Sequence, residues 1–178
     1  MAIRDKYSEQ NISFRVYNNG NNFLGDATIE LPEISYITDT LNGAGIAGEI
    51  ESPVIGMTQS ISMKLTFMSA THPYFDINDW TASQLYECFS SMQVSDPTTG
   101  LRSNCPYRIN FIGRIKTQSL GTLEVGKKHG NEVEFEVTRL EVYLDSEEKL
   151  IIDKLNFIYR VNGTDLLQGV RADMGLSV

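Results

Sequence analysis

The chain has 178 residues, 41% of them hydrophobic and 21% charged, with a formal net charge of −8. That length suits one domain, which can bury roughly 70% of its unfolded surface and needs no disulfide or metal staple to fold. The acidic balance argues against a reader of bare nucleic acid, because such binding needs Lys and Arg to displace counterions from phosphate, but it suits a surface past which DNA slides without sticking.

The opening MAIRDKYSEQ has no apolar stretch, so no secretory signal is expected there, and folding in a cytoplasm is. No run approaches the roughly 18 apolar residues of a membrane-spanning helix, so stable membrane insertion is not expected. Alternation of period two then begins. Ile12, Phe14 and Val16 share one face, with Ser13, Arg15 and Tyr17 on the other, and the Asn- and Gly-rich residues 18–22 read as a turn. Ala27, Ile29 and Leu31 alternate next, stopped by Pro32, and residues 34–38 make a further strand. Residues 41–59, rich in glycine and interrupted by Pro53, show no sustained period and predict a long loop of the functional or mobile kind. Ile61, Met63, Leu65 and Phe67 resume the alternation.

Residues 76–92 break it. Ile77, Trp80, Leu85, Cys88, Phe89 and Met92 make a helical stripe, and Asp76 or Asp79 can cap its start. The stripe predicts a helix that covers one face of a sheet, with Trp80 in the core. Beyond it, residues 107–116 alternate, and residues 119–127 suit either a strand or a loop. In residues 132–145 the apolar phase flips between Val137 and Leu140, which predicts a β-bulge or bend near Thr138 and Arg139. Residues 149–163 read as the last long strand, turned at Asn162-Gly163, where positive φ is cheap. The pattern is that of a single domain over residues 1–178, mainly β and mostly antiparallel, with one α-helix and no internal repeat.

Little in the chain suggests chemistry. His72 and His129 have no carboxylate or cysteine at ligand spacing, and Cys88 and Cys105 match no metal or disulfide framework, so both cysteines are expected as free, buried thiols. Residues 43–48 have the glycine spacing of a phosphate loop but lack its Lys and its strand-to-helix setting. Glu132, Glu134 and Glu136 alternate with Val133, Phe135 and Val137, so they share a face. That face reads as a solvated strand surface, an acid/base or cation site, or the lining of a wet channel. No catalytic residue, cofactor or metal is expected.

Two stretches carry a resemblance. Residues 23–57 run from a glycine through a short strand, Leu31-Pro32, a second strand and a Gly-rich loop to Glu51 and Pro53. Residues 151–176 carry Asp153, Leu155 and Asn156, then Val161-Asn162-Gly163 and Asp165, then Arg171 and Gly175-Leu176. In this order and at this length the chain resembles the major tail tube proteins of contractile-tailed bacteriophages and phage-tail-like particles. The resemblance implies an antiparallel β-barrel or sandwich with one helix. It also implies hexameric rings stacked into a hollow tube inside a contractile sheath, driven through a target envelope and conducting DNA. Partners would be further copies of the chain, the sheath, the baseplate or initiator, and the terminator. The place would be the host cytoplasm during assembly and then the virion tail or an extracellular particle. Contacts between subunits are expected at Asn42, Gly43, Gly45, Gly48, Glu51 and Pro53 in the loop, and at Arg171 beside a carboxylate. Glu132, Glu134 and Glu136 are candidates to face the lumen, where carboxylates repel phosphate; residues 107–116 are a poorer one. The tube of a type VI secretion system or other injection machine is a close alternative, and a monomeric β-barrel that binds a small ligand a more distant one.

Overall fold

The computed structural model describes residues 6–176 apart from positions 21, 26, 44 and 46. The first five residues, and whatever the polar N-terminus contacts, therefore lie outside the described residues, as do two positions of the predicted assembly loop. The elements run β1 (Tyr7–Asn18), β2 (Asn22–Phe23), β3 (Ala27–Glu30), β4 (Tyr36–Leu41), β5 (Ile50–Thr58), β6 (Ser62–Phe67), α1 (His72–Asp76), β7 (Gln84–Ser95), β8 (Arg102–Ser119), β9 (Asn131–Leu144), β10 (Glu147–Asp153), β11 (Ile158–Val161), β12 (Thr164–Asp165) and α2 (Gln168–Asp173).

All pairings are antiparallel. Ten strands form one sheet along the path β12-β11-β10-β9-β8-β7-β1-β2, with β6 branching from β9 and β3 pairing β6. The sheet has free ends and does not close into a barrel. Strands β4 and β5 form a separate two-stranded sheet.

Strand β9 organises the rest. One edge pairs β8; the other pairs β6 through residues 131–136 and β10 through residues 139–144. The handover falls at Thr138, which the register with β8 skips. This is the bulge expected from the phase flip. The hydroxyl of Thr138 donates to the Ile112 carbonyl at 3.2 Å, and its own carbonyl accepts from the Lys154 N–H at 3.0 Å. Val133, Phe135 and Val137 are buried before the bulge, Leu140 after it. Opposite Val137 lies Gly113, where an added Cβ would stand 2.8 Å from the Glu136 carbonyl oxygen. Only glycine lets the two strands approach so closely.

The core lies where β6 and the first half of β9 pack across β1, β7 and β8. Val16, Met63, Leu65, Phe67, Tyr86, Ile109, Phe111 and Phe135 belong to one buried cluster. The Tyr86 ring stacks on Phe111 with centroids 4.8 Å apart and meets Phe135 at 4.6 Å. Such pairs add to the burial of large apolar rings.

Three expectations are corrected. The helix over residues 76–92 is absent: the helix here is α1, which ends at Asp76, and residues 84–95 form β7. Tertiary pairing overrides the helical stripe because β7 lies between β1 and β8, and neighbours on both edges engage its backbone N–H and C=O groups. Tyr86 and Cys88 point inward at period two, while Trp80 is 73% exposed. Asp79 accepts from the Thr81 N–H at 3.0 Å and makes a turn, not a helix cap. The loop over residues 41–59 is mostly strand, since β5 begins at Ile50 and pairs β4; the connection is only residues 42–49. The last long strand is two strands. Asp153 turns the chain by accepting from the N–H groups of Leu155 (3.1 Å) and Asn156 (3.0 Å), and Phe157 adopts φ 51°. β11 then pairs back on β10.

Candidate functional site

The β4–β5 hairpin is the most unusual surface. A two-stranded sheet is marginal in water by itself, yet this one exposes Ile37, Leu41, Ile50, Val54 and Ile55, the last at 70%. Several exposed apolar side chains on one small sheet are the kind of surface that marks an interaction site. Asn42, Gly43, Gly45 and Gly48 lie in its connection, and Gly45 and Gly48 have φ of 103° and 129°. Glu51 and Pro53 lie in β5, opposite Thr40 and Thr38. Six of the predicted contact residues are thus brought together on one projection.

Arg171 lies elsewhere, buried in α2. Its carboxylate partner is Asp165 of the same chain, with Nη2 to Oδ2 at 2.7 Å, and its Nη1 donates to the Phe157 carbonyl at 2.7 Å. The guanidinium holds the Asp165 carboxyl below its usual range. Asn162 and Gly163 turn the chain at φ 50° and 79°. Gly175 ends α2 in the left-handed conformation at φ 71°, with its N–H on the Ala172 carbonyl and the Leu176 N–H on that of Arg171. This is the Schellman closure that glycine permits. The residues of the closing motif thus serve turns, caps and one ion pair.

Glu132, Glu134 and Glu136 share a half-exposed face. Each meets a lysine from a neighbouring segment: Lys64 at 3.0 Å, Lys116 at 3.3 Å and Lys154 at 3.6 Å. Hydrogen bonds from Ser62, Lys116 and Thr117 hold Glu134 below the usual carboxylate range. The face is a ladder of matched charges, less negative than the glutamates alone imply.

Several features gave no sequence signal. Ile12 and Phe14 continue the apolar face of Val16, but only Val16 is buried; Ile12 is 58% exposed. Among the described residues, the edge of β1 away from β7 pairs β2 only at Tyr17 and Asn18. An open concavity of about 910 Å³ spans β1, β7, β8 and β9, lined by Phe14, Arg15, Tyr17, Phe89, Arg108 and Tyr143 among others. Arg108 stands over the Phe89 ring at 5.2 Å and the Tyr143 ring at 5.6 Å. Finally, the hydroxyls of Tyr36 and Tyr159 meet at 2.7 Å, and Gly56 abuts Leu167.

Cys88 and Cys105 are free and buried, and burial pushes the Cys88 thiol up to about 12, which makes it inert. Among the described residues, no three His, Cys, Asp or Glu side chains could hold a metal ion, and no helix is long and apolar enough to cross a membrane. The comparison with curated proteins found no match. The model of the family described as phage tail tube protein FII matches residues 10–175, nearly the whole chain, and the chain therefore belongs to that family of structural tail tube subunits of the virion tail.

Proposed function

We propose that copies of this chain close into hexameric rings, that the rings stack into a hollow tube inside a contractile sheath, and that DNA or other cargo moves through the bore. The observation that carries this reading is the β4–β5 hairpin, a separate two-stranded sheet that leaves Ile37, Leu41, Ile50, Val54 and Ile55 exposed in the single subunit. It would dock on a neighbouring copy. The outer edge of β1 supports the same reading, because among the described residues it pairs only at Tyr17 and Asn18, and an edge bearing Tyr7, Ile12 and Phe14 is a template for pairing with another chain. Identical subunits that join head to tail make a ring where the rotation closes, and stacked rings make a filament. Each subunit would bury more than roughly 2,000 Å² in such an obligate assembly. The sheath, the baseplate or initiator and the terminator would meet the outside and the ends of the tube.

The face of Glu132, Glu134 and Glu136 would line the bore. Its lysines are engaged by carboxylates, so few free cations would face phosphate.

Negative-stain microscopy of the concentrated protein tests the assembly: rings or tubes of uniform bore are expected, and a monomer under every condition would defeat the proposal. Deleting residues 43–48 should leave a folded protein that does not polymerise. Normal tubes from that variant would remove the hairpin from the assembly mechanism. Changing all three glutamates to Lys should make assembled tubes retain DNA; unchanged passage would remove that face from the bore.

A further inference from the structure

We propose that the closing block, residues 153–176, is a clamp that sets the direction in which the β4–β5 hairpin leaves the body, with Arg171 as its positioning residue. The consequence for assembly rests on the hairpin role proposed above; the clamp itself does not.

Among the described residues, no backbone ladder joins β4 and β5 to the ten-stranded sheet. Besides the covalent connections, their bearing depends on side-chain contacts at the root, and three such contacts come from residues 154–167. The Tyr159 hydroxyl meets that of Tyr36 in β4 at 2.7 Å. The Lys154 ammonium donates to the Gln59 carbonyl, just past β5, at 2.8 Å. The Leu167 side chain fills the space at Gly56 in β5, where an added Cβ would stand 2.6 Å from Leu167 Cδ2. Both strands of the hairpin are therefore held from one side by one stretch of chain.

Arg171 holds that stretch in shape. One guanidinium ties α2 to Asp165 in β12 and to the Phe157 carbonyl in the turn before β11. Asp165 in turn accepts from the Leu167 N–H at 3.0 Å through its other oxygen. The path runs from Arg171 through Asp165 to Leu167, and from Leu167 to Gly56. The guanidinium of Arg171 bonds Phe157 and Asp165 rather than the hairpin, yet it places the side chain that meets Gly56.

The test is amide hydrogen exchange on the full chain, read beside tube formation. In Arg171→Ala, amides over residues 36–58 should exchange at least about tenfold faster, with β8 and β9 unchanged, because local opening is freed while the core is not. Gly56→Ala should do the same. Leu167→Ala added to Gly56→Ala should slow exchange relative to Gly56→Ala alone, because it relieves the collision, while the strain of Ala at φ 68° and the loss of the buried Leu167 side chain keep it above the parent. A merely structural loss would not be rescued in this way. Unchanged exchange over residues 36–58 in Arg171→Ala or Gly56→Ala, or a double variant no better than the single one, would overturn the clamp. If Arg171→Ala does not fold, Tyr159→Phe replaces it and is held to the same exchange criterion. Tubes formed normally after deletion of residues 43–48 would defeat the hairpin's assembly role and leave the exchange result to decide the clamp.

Discussion

The phenolic oxygens of Tyr36 and Tyr159 lie 2.7 Å apart, so the first strand of the projecting hairpin is bonded to the strand that precedes the closing turn. The two residues are far apart in the chain, and each lies in a segment whose alternation alone says nothing of the other. Burial raises the Tyr159 hydroxyl above its ordinary value and keeps it protonated, so it can donate to or accept from the Tyr36 hydroxyl.

Removing that partner has a defined cost. Tyr36→Phe leaves a buried hydroxyl unpaired and should destabilise the fold by about 1–2 kcal/mol in urea unfolding. Changing both tyrosines to Phe should cost less than the sum of the two single changes, since no orphan remains. Additive losses would show that the two hydroxyls do not act as a pair.

Acid should open the closing block first. The hydrogen bond from Arg171 holds Asp165 below its ordinary value of 3.8 in the folded state. A carboxyl depressed by folding stabilises the fold above its unfolded pKa and loses that contribution as pH falls through the folded one. Exchange protection in residues 158–173 should therefore fall as pH drops below about 4, ahead of β8 and β9. In Asp165→Asn that part of the pH dependence should vanish, with lower stability at neutral pH. A variant that keeps the parent's acid profile would place the sensitivity elsewhere.

Gly113→Ala tests the crossing of β8 and β9. Its new Cβ would meet a backbone oxygen, Glu136 O, at 2.8 Å, and a backbone atom cannot rotate aside. The expected loss is about 2 kcal/mol, as for overpacking in a core, read as a lower melting temperature. A melting temperature equal to the parent's would mean that the strands separate more easily than their pairing implies.

Ile55→Glu should separate folding from assembly. Ile55 is 70% exposed in the single subunit, so stability should stay within about 0.5 kcal/mol of the parent. Tube formation should be lost, because a charge would be carried into an apolar contact. Phe135→Ala is the converse: Phe135 is fully buried, and the loss should be about 3–5 kcal/mol in unfolding. Tubes of normal yield from Ile55→Glu would show that this side chain remains in water after assembly.

Much of the sheet was legible along the chain. The phase flip between Val137 and Leu140 located the bulge at Thr138, since a bulge is what lets a strand change the face it buries. Asn162-Gly163 located a turn, because both residues accept positive φ. The candidate site was legible in part: the glycine-rich segment marked the tip of the hairpin, although most of its second half is strand. Residues 76–92 misled because Leu85, Cys88 and Phe89 fit one helical face, while a strand uses Cys88 inward and leaves Phe89 out.

The sequence by itself determined the local conformations: the alternation of strands, the bulge, the turns, and the acidic balance that disfavours DNA binding. These follow from the period of side chains along a backbone and from glycine's freedom at positive φ. Only the tertiary structure decided that residues 84–95 are a central strand, that lysines match Glu132, Glu134 and Glu136, that Ile12 and Ile55 are exposed in the single subunit, and that Arg171 reaches the hairpin through Leu167. Each of these depends on which segments meet in space. A backbone group takes the partner its neighbours offer, and an apolar side chain is buried only where another element comes to cover it.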